Sequence, residues 1–344
     1  MAPLTRLRAR ADRVPEPIMA EYYAQRAAVP GTLLISEGTI ITPSASGGFE
    51  YAPGIWSTEQ VSAWKAITDA VHAKGCFIYC QLFAMGRTAT TEGAAKDQVE
   101  IVAPSSIPMD EESPMPRAMT ISEICQSIAD FVTAAENAIA AGFDGVECHG
   151  ANGYLADQFI QDISNQRDDE YGGSVENRSR FFIEVVEGVA RAIGPARVGV
   201  RLSPWSTIHG MKMDDPIPQF THLISRANEM GLAYLHLIES RVAGGVDTTG
   251  TESLAFAYSL WDGPLLVAGG YNLASAKTLV DEEYSGKSMV VMFGRHFIAN
   301  PDLVYRIRQG VVLTAYERDT FYTNNSLGYT DYSFSAEYLN TGAA

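Results

Sequence analysis

The densest chemistry in this chain lies in His149-Gly150-Ala151-Asn152-Gly153-Tyr154-Leu155. An imidazole, an amide and a phenol fall within one short stretch. His149 and Asn152 can both donate hydrogen bonds to one carbonyl oxygen, and Tyr154 can supply a proton. Those functions together stabilise an enolate and then protonate its carbon. A lone histidine after a strand is more often a packed structural residue, so the motif gains weight only if the rest of the chain builds a pocket around it.

The motif follows residues 143–148, which read as a strand from their place in the alternation although they carry Asp144 and Glu147. Other short apolar runs lie at 32–36, 76–82, 196–202, 233–238, 264–268 and 288–293. They are near-continuously apolar, as parallel strands buried on both faces are. Amphipathic segments at 57–74, 120–141, 174–193, 216–230, 272–282 and 300–309 alternate with them, several opening on a helix-capping residue. Seven strands are visible, and residues 1–4 complete an eighth, with a truncated first strand. Eight such units make a (β/α)8 TIM barrel of the α/β class. A doubly wound open sheet is the alternative, but no GxGxxG follows the first strand. Residues 83–117, with four prolines, form a long excursion after the third strand and are expected to cap the catalytic mouth. Residues 157–173 form a second excursion on that side. No linker or repeat interrupts the chain, so 1–344 reads as one domain.

Composition narrows the function. Hydrophobic residues are 46% of the 344, enough for a sizeable core. The net charge of −16 argues against nucleic acid or an anionic membrane as a partner. No run is long enough for a transmembrane helix. Cys76, Cys80, Cys125 and Cys148 have no CxxC spacing and read as reduced, buried thiols of a cytoplasmic protein. The six histidines are scattered without HxH or HExxH, so no metal is expected.

In a TIM barrel, reactive groups gather at the carboxyl ends of the strands. Those ends carry Pro3-Leu4-Thr5, Glu37-Gly38, Gln81, His149/Asn152, Arg201, Gly269-Gly270 and Gly294-Arg295. The last two pairs follow the last two strands, where barrels commonly hold phosphate. There glycines admit phosphate oxygens to the backbone N–H groups, and an arginine adds a charged fork. Arg201 closes a very apolar strand and needs an anionic partner. That partner is either a neighbouring carboxylate or a ligand that becomes anionic. Gln81 can pair with a pyrimidine-like edge. Jointly these residues describe a pocket for a phosphorylated, hydrogen-bonding heterocycle.

On these residues the chain resembles the old yellow enzyme family of FMN-dependent ene-reductases, and most of all its fungal members. The likeness is carried by MAPLTRLRA at the start, ISEGT (35–39), CQLFAMGR (80–87), GFDGVECHGANGYLADQF (142–159) and DEYGGSVENRSRF (169–181). It continues through VGVRLSPW (198–205), AGGYN (268–272), FGRHFIANPDL (293–303) and FYTNNSLGYTDY (321–332). It implies that Pro3, Leu4, Thr5, Gly38, Gln81 and Arg201 contact the flavin ring, Thr5 placing the chain with the threonine-type members. It implies FMN phosphate and ribityl contacts at Gly269, Gly270, Gly294 and Arg295. His149 and Asn152 then bind the substrate carbonyl, Tyr154 donates the proton, and Phe83 and Tyr322 bind substrate. The N-terminal arginines become part of a barrel strand and its loop.

The resemblance implies a ping-pong reaction. NADPH or NADH reduces FMN, and an α,β-unsaturated carbonyl compound, an enone or enal, then takes the nicotinamide's place and is reduced, in fungal secondary metabolism. A monomer or homodimer is expected. Two other uses of the same site stay open: a flavin-dependent isomerase or epimerase without net nicotinamide consumption, and a flavin-free inactive homologue. Departures from the family pattern bear on this. Residues preceding MAPLT, which usually close the barrel floor with a hairpin, are missing, so the floor is expected to be open and its apolar residues partly exposed. Met292 stands where many members have glycine. Phe83 stands where many have tryptophan, which implies a wider pocket.

Overall fold

The computed structural model describes residues 1–342. Its strands in chain order are β1 (Leu33–Ile35), β2 (Thr39–Ile40), β3 (Phe77–Phe83), β4 (Val102–Ala103), β5 (Arg117–Ala118) and β6 (Gly145–Gly150). There follow β7 (Val198–Leu202), β8 (Tyr234–Ile238), β9 (Val242–Ala243), β10 (Val246–Asp247), β11 (Leu265–Ala268) and β12 (Met289–Met292). The main sheet runs β1-β3-β6-β7-β8-β11-β12, every pair parallel, with β2 continuing beside β3. Its two edges are joined through the chain start. Ile35 N–H donates to Met1 O at 3.0 Å, and Ala2 N–H donates to Phe293 O at 2.9 Å. The barrel is thus closed by a two-residue bridge, shorter than the expected strand over 1–4. Pro3 has no N–H to continue the ladder, which ends there.

The helices lie outside. They are α1 (Pro17–Arg26), α2 (Thr58–His72), α3 (Thr91–Asp97), α4 (Ile121–Ala140), α5 (Leu155–Ile160) and α6 (Val175–Ile193). Next come α7 (Pro216–Asn228), α8 (Ala255–Leu260), α9 (Leu273–Lys277), α10 (Arg295–Ala299), α11 (Leu303–Gln309) and α12 (Ala336–Leu339). Ser57 and Thr120 cap α2 and α4 in full capping boxes, with Gln60 and Glu123 reaching back to the cap backbone. The helix read over 300–309 is α11, which begins only at Leu303, after Asn300, Pro301 and Asp302 separate it from the short α10. Helix α1 was not anticipated.

The barrel interior is filled in layers. Toward the amino ends of the strands, Tyr79 and Tyr234 meet with ring centroids 5.5 Å apart. They fit because their neighbours across the sheet are glycines. A Cβ on Gly145 would lie 2.4 Å from the Tyr79 ring, and one on Gly199 2.2 Å from Tyr234. Ile35, Leu266, Ala268 and Met292 complete this layer with Ala2. At the floor, Phe77 and Val290 are 52% and 45% exposed, whereas Met1 and Ala2 are buried.

The arginines of the N-terminus turn inward. Arg6 and Arg8 are fully buried and hold the chain after Thr320 by its carbonyls. Arg6 donates to Phe321 O and Gly328 O at 3.1 and 2.7 Å. Arg8 donates to Asn325 O, Phe321 O and Thr320 O at 3.0, 2.7 and 2.9 Å. With Arg8 also donating to Leu327 O at 3.1 Å, six bonds to one irregular segment satisfy carbonyls that have no ladder of their own. Arg8→Met keeps the apolar stem but strips these donors, at roughly 1–3 kcal/mol for each buried carbonyl left unpaired. The expected result is faster proteolytic cleavage in the segment around 320–328, read by limited digestion, with the rest of the barrel intact.

Cys76, Cys80 and Cys148 are buried free thiols, but Cys125 is exposed, against the expectation of four buried ones. Cys125 lies on the outer face of α4, turned away from the sheet. Among the described residues no helix is long and apolar enough to cross a membrane. No three His, Cys, Asp or Glu side chains among them are grouped to hold a metal ion.

Candidate active site

Strand β6 brings Glu147 and His149 to the same face, two residues apart. It runs to Gly150, farther than the apolar run suggested, because His149 and Gly150 still pair with Arg201 and Leu202 of β7. The chain then turns sharply. Asn152 and Gly153 take positive φ of 58° and 74°, a conformation that asparagine and glycine tolerate. Asn152 N–H donates to Ser203 Oγ at 2.8 Å, and Gly153 N–H to Asp157 Oδ2 at 2.8 Å. The Gln158 amide donates to Gly153 O at 2.7 Å. Tyr154 is the residue before α5, and its ring stands edge-on to Phe83, 5.0 Å between centroids. It lies 5.2 Å from the His149 ring. The turn thus aims three side chains from a rigid base.

Their electrostatics follow from burial. His149 is buried, and its Nδ1 has no partner. Burial, reinforced by the Arg201 charge, pushes its pKa down to about 3, so it is a neutral imidazole. Burial raises the Tyr154 phenol above its ordinary value, with Arg201 only partly offsetting this, so the phenol keeps its proton. The Asn152 amide oxygen has no partner either. Arg201 is buried with Nε unpaired and forms no ion pair among the described residues. Burial lowers its pKa, and Glu147 counters this.

Two adjoining cavities gather the residues singled out in the sequence. The first, about 320 Å³, is lined by Thr5, Gly38, Gln81, Phe83, His149, Asn152, Tyr154 and Tyr322. The second, about 340 Å³, is lined by Gly269, Gly270 and Gly294. Pro3, Leu4, Arg201 and Arg295 face both. Met292 lines the second cavity. Gly38 belongs to a bulge. Three residues lie between Ile35 and Thr39, whereas two lie between their β3 partners Tyr79 and Leu82. The extra residue redirects the chain, and a Cβ on Gly38 would stand 3.1 Å from the Phe83 ring.

At the second cavity, Gly269 and Gly270 have φ of 118° and 66°. The N–H groups of Gly269, Gly270 and Gly294 donate to no protein acceptor among the described residues, leaving three donors free for an anion. Arg295 faces this cavity with its guanidinium already engaged. Its guanidinium is forked on Asp247 of the β9–β10 hairpin, at 2.9 and 2.5 Å. The Asp247 side chain is 62% exposed, and such rim pairs contribute only about 0.2–1 kcal/mol. A phosphate dianion held at the free glycine N–H groups would compete for the same fork. Asp247→Ala is therefore expected to tighten FMN binding roughly two- to five-fold, as measured by quenching of flavin fluorescence.

Several lining residues were not read from the sequence: Phe49, Ile208, His209, Gly244, Gly245 and Phe321. They come from loops whose sequences carry no periodic signal. His209 sits at φ 58°, with Nδ1 2.8 Å from Asn152 O. Of residues 83–117, expected to cap the mouth, Phe83 alone lines the first cavity. The excursion instead braces the 203–215 loop, Arg87 reaching His209 O and Gly210 O at 3.2 Å each.

This arrangement fits FMN on its own chemistry: a buried cation without an ion-pair partner, an amide at the cavity wall, and unpaired glycine N–H groups at the far end. Residues 1–314 match the model of the NADH:flavin oxidoreductase / NADH oxidase family. The chain is 51% identical to chanoclavine-I aldehyde reductase fgaOx3 of Penicillium roqueforti, over 98% of this chain and 92% of the relative. It is 49% identical to a probable inactive reductase, easA, of Epichloe festucae var. lolii, over 98% and 92%. Among solved structures, the old yellow enzyme homologue of Zymomonas mobilis superposes with a TM-score of 0.89 at 40% identity, covering 97% of this chain and 94% of that one. The chain belongs to the NADH:flavin oxidoreductase / NADH oxidase family, as an old yellow enzyme-type, NAD(P)H-dependent flavin oxidoreductase with FMN as its cofactor.

Proposed function

We propose that this enzyme reduces the activated carbon–carbon double bond of α,β-unsaturated carbonyl compounds, in fungal secondary metabolism, with the chain acting as a single FMN-binding domain. The observation that carries this reading is the convergence of His149, Asn152 and Tyr154 on one cavity beside the unpaired Arg201. The named activity of the Penicillium aldehyde reductase supports a carbonyl substrate. In this reading Pro3, Leu4, Thr5, Gly38, Gln81 and Arg201 hold the flavin ring, and Gly269, Gly270, Gly294 and Arg295 its phosphate end. FMN, when bound, supplies a two-electron carrier between the nicotinamide and the substrate.

The side chains do the rest. His149, neutral, and Asn152 donate to the substrate carbonyl oxygen and draw electron density toward it as charge develops there. Arg201 places a fixed positive charge at the wall shared by both cavities. Tyr154 holds a proton that its raised pKa keeps in place until a carbanion-like carbon takes it. Phe83 and Tyr322 form apolar walls that orient the substrate.

The test is optical. The purified protein with FMN is reduced anaerobically by NADPH, and an enone is then added. Bleaching on the first addition, and return of the flavin bands with one saturated product per NADPH consumed, supports net reduction. Product formed without stoichiometric NADPH would assign the site to isomerisation or epimerisation instead. A protein that takes up no FMN would end the reading.

A further inference from the structure

Beneath the cavity lies a buried group that the proposed reaction does not use. Glu147 is 0% exposed in the barrel interior. Its Oε1 accepts from Gln81 Nε2 at 2.8 Å, and its Oε2 lies 2.8 Å from His236 Nδ1. His236 is itself fully buried, with no partner at Nε2. A protonated His236 would leave a charged N–H unpaired in the interior, so the neutral form, donating from Nδ1, is the one that fits. The Arg201 charge and the hydrogen bonds from His236 and Gln81 hold the carboxyl below the ordinary carboxylate range, against the effect of burial. Glu147 therefore stays ionised, and Arg201 is the cation that balances it.

We propose that Glu147 is a positioning residue for the flavin site: it fixes which face Gln81 presents to the cavity, and it offsets part of the Arg201 charge. The first effect is geometric. With Nε2 committed to Glu147, Gln81 turns Oε1 to the wall beside Gly38, whose Cβ would lie 3.5 Å from it. The cavity there meets an acceptor, suited to an imide N–H of a flavin ring. The second is electrostatic. A counter-charge behind Arg201 weakens the positive field in front of it, and so sets how strongly electron-rich states of a bound ring are favoured. A purely structural counter-ion would produce neither effect on the cofactor.

The proposal rests on the flavin site described above, and its test separates the two. FMN dissociation constants and two-electron midpoint potentials are measured for the wild type, Glu147→Gln, Glu147→Asp and Arg201→Gln. Glu147→Gln removes the charge and one of the two acceptor oxygens, so Gln81 Nε2 and His236 Nδ1 compete for the one that remains. FMN binding is expected to weaken at least tenfold, and the potential to shift positive by about 30 mV, the equivalent of tenfold for two electrons. Arg201→Gln shifts the potential negative. Glu147→Asp keeps the charge but withdraws from Gln81, so affinity falls while the potential stays at the wild-type value. Wild-type affinity and potential in Glu147→Gln overturn the proposal. Should that variant fail to fold, wild-type FMN affinity in Glu147→Asp overturns it instead. A wild type that binds no FMN overturns the flavin site itself.

Discussion

Tyr154→Phe is expected to slow the reoxidation of the NADPH-reduced enzyme by an enone roughly 10²–10⁴-fold, the usual contribution of a positioned general acid. Reduction of the enzyme by NADPH should be unchanged. The ring stays packed on Phe83 and His149 in the variant, because its contacts are made by faces and edges and the hydroxyl has no hydrogen-bond partner among the described residues. Loss of rate therefore reports the lost proton rather than a lost shape. Stopped-flow measurement of the two half-reactions separates them. The sign of the pH dependence follows as well. Burial raises the phenol above its ordinary value, so the acid form persists as pH rises. The wild-type reoxidation rate should show no alkaline limb from this group below about pH 10. Equal reoxidation rates in Tyr154→Phe and the wild type would take the proton-donor role away from Tyr154.

The parts of this molecule that could be read from the chain are those written locally. Apolar runs such as 198–202 and 265–268 mark strands because parallel strands are covered on both faces, and the residue at the end of each run then falls at the mouth. Arg201, Gln81 and the glycine pairs were found that way. Glu147 was visible only as an anomaly in a strand. Its meaning lies in Gln81 and His236, 66 and 89 residues away, and no local pattern encodes such a pairing. Arg6 and Arg8 look like a basic N-terminus until the carbonyls of 320–328 come to meet them from the other end of the chain. The Arg295–Asp247 fork depends on a short hairpin, β9–β10, whose residues signal neither strand nor turn strongly. The excursion over 83–117 was legible as long, but its length did not reveal that it braces another loop and gives the first cavity only Phe83, while other loops add Phe49, Ile208 and Phe321.

His149→Ala and Asn152→Ala are each expected to lower the rate of enone reduction by about 10²–10³, the loss typical of one donor to a developing oxyanion. The two come from one turn and serve one oxygen, so their effects are coupled. Once one side chain is truncated, water can enter and donate in its place, and the double variant should fall short of the product of the two single losses. His149→Asn should recover much of the His149→Ala loss, because an amide also donates and His149 acts without charge. That last point is independently testable. With its pKa near 3, the imidazole is neutral across the physiological range, and the wild type should show no acid limb near pH 6.5, where an ordinary histidine titrates. A limb there that disappears in His149→Asn would mean that the ring binds the carbonyl as a cation. The reduction step would then draw on charge at His149 as well as at Arg201, which burial and the neighbouring Arg201 charge argue against.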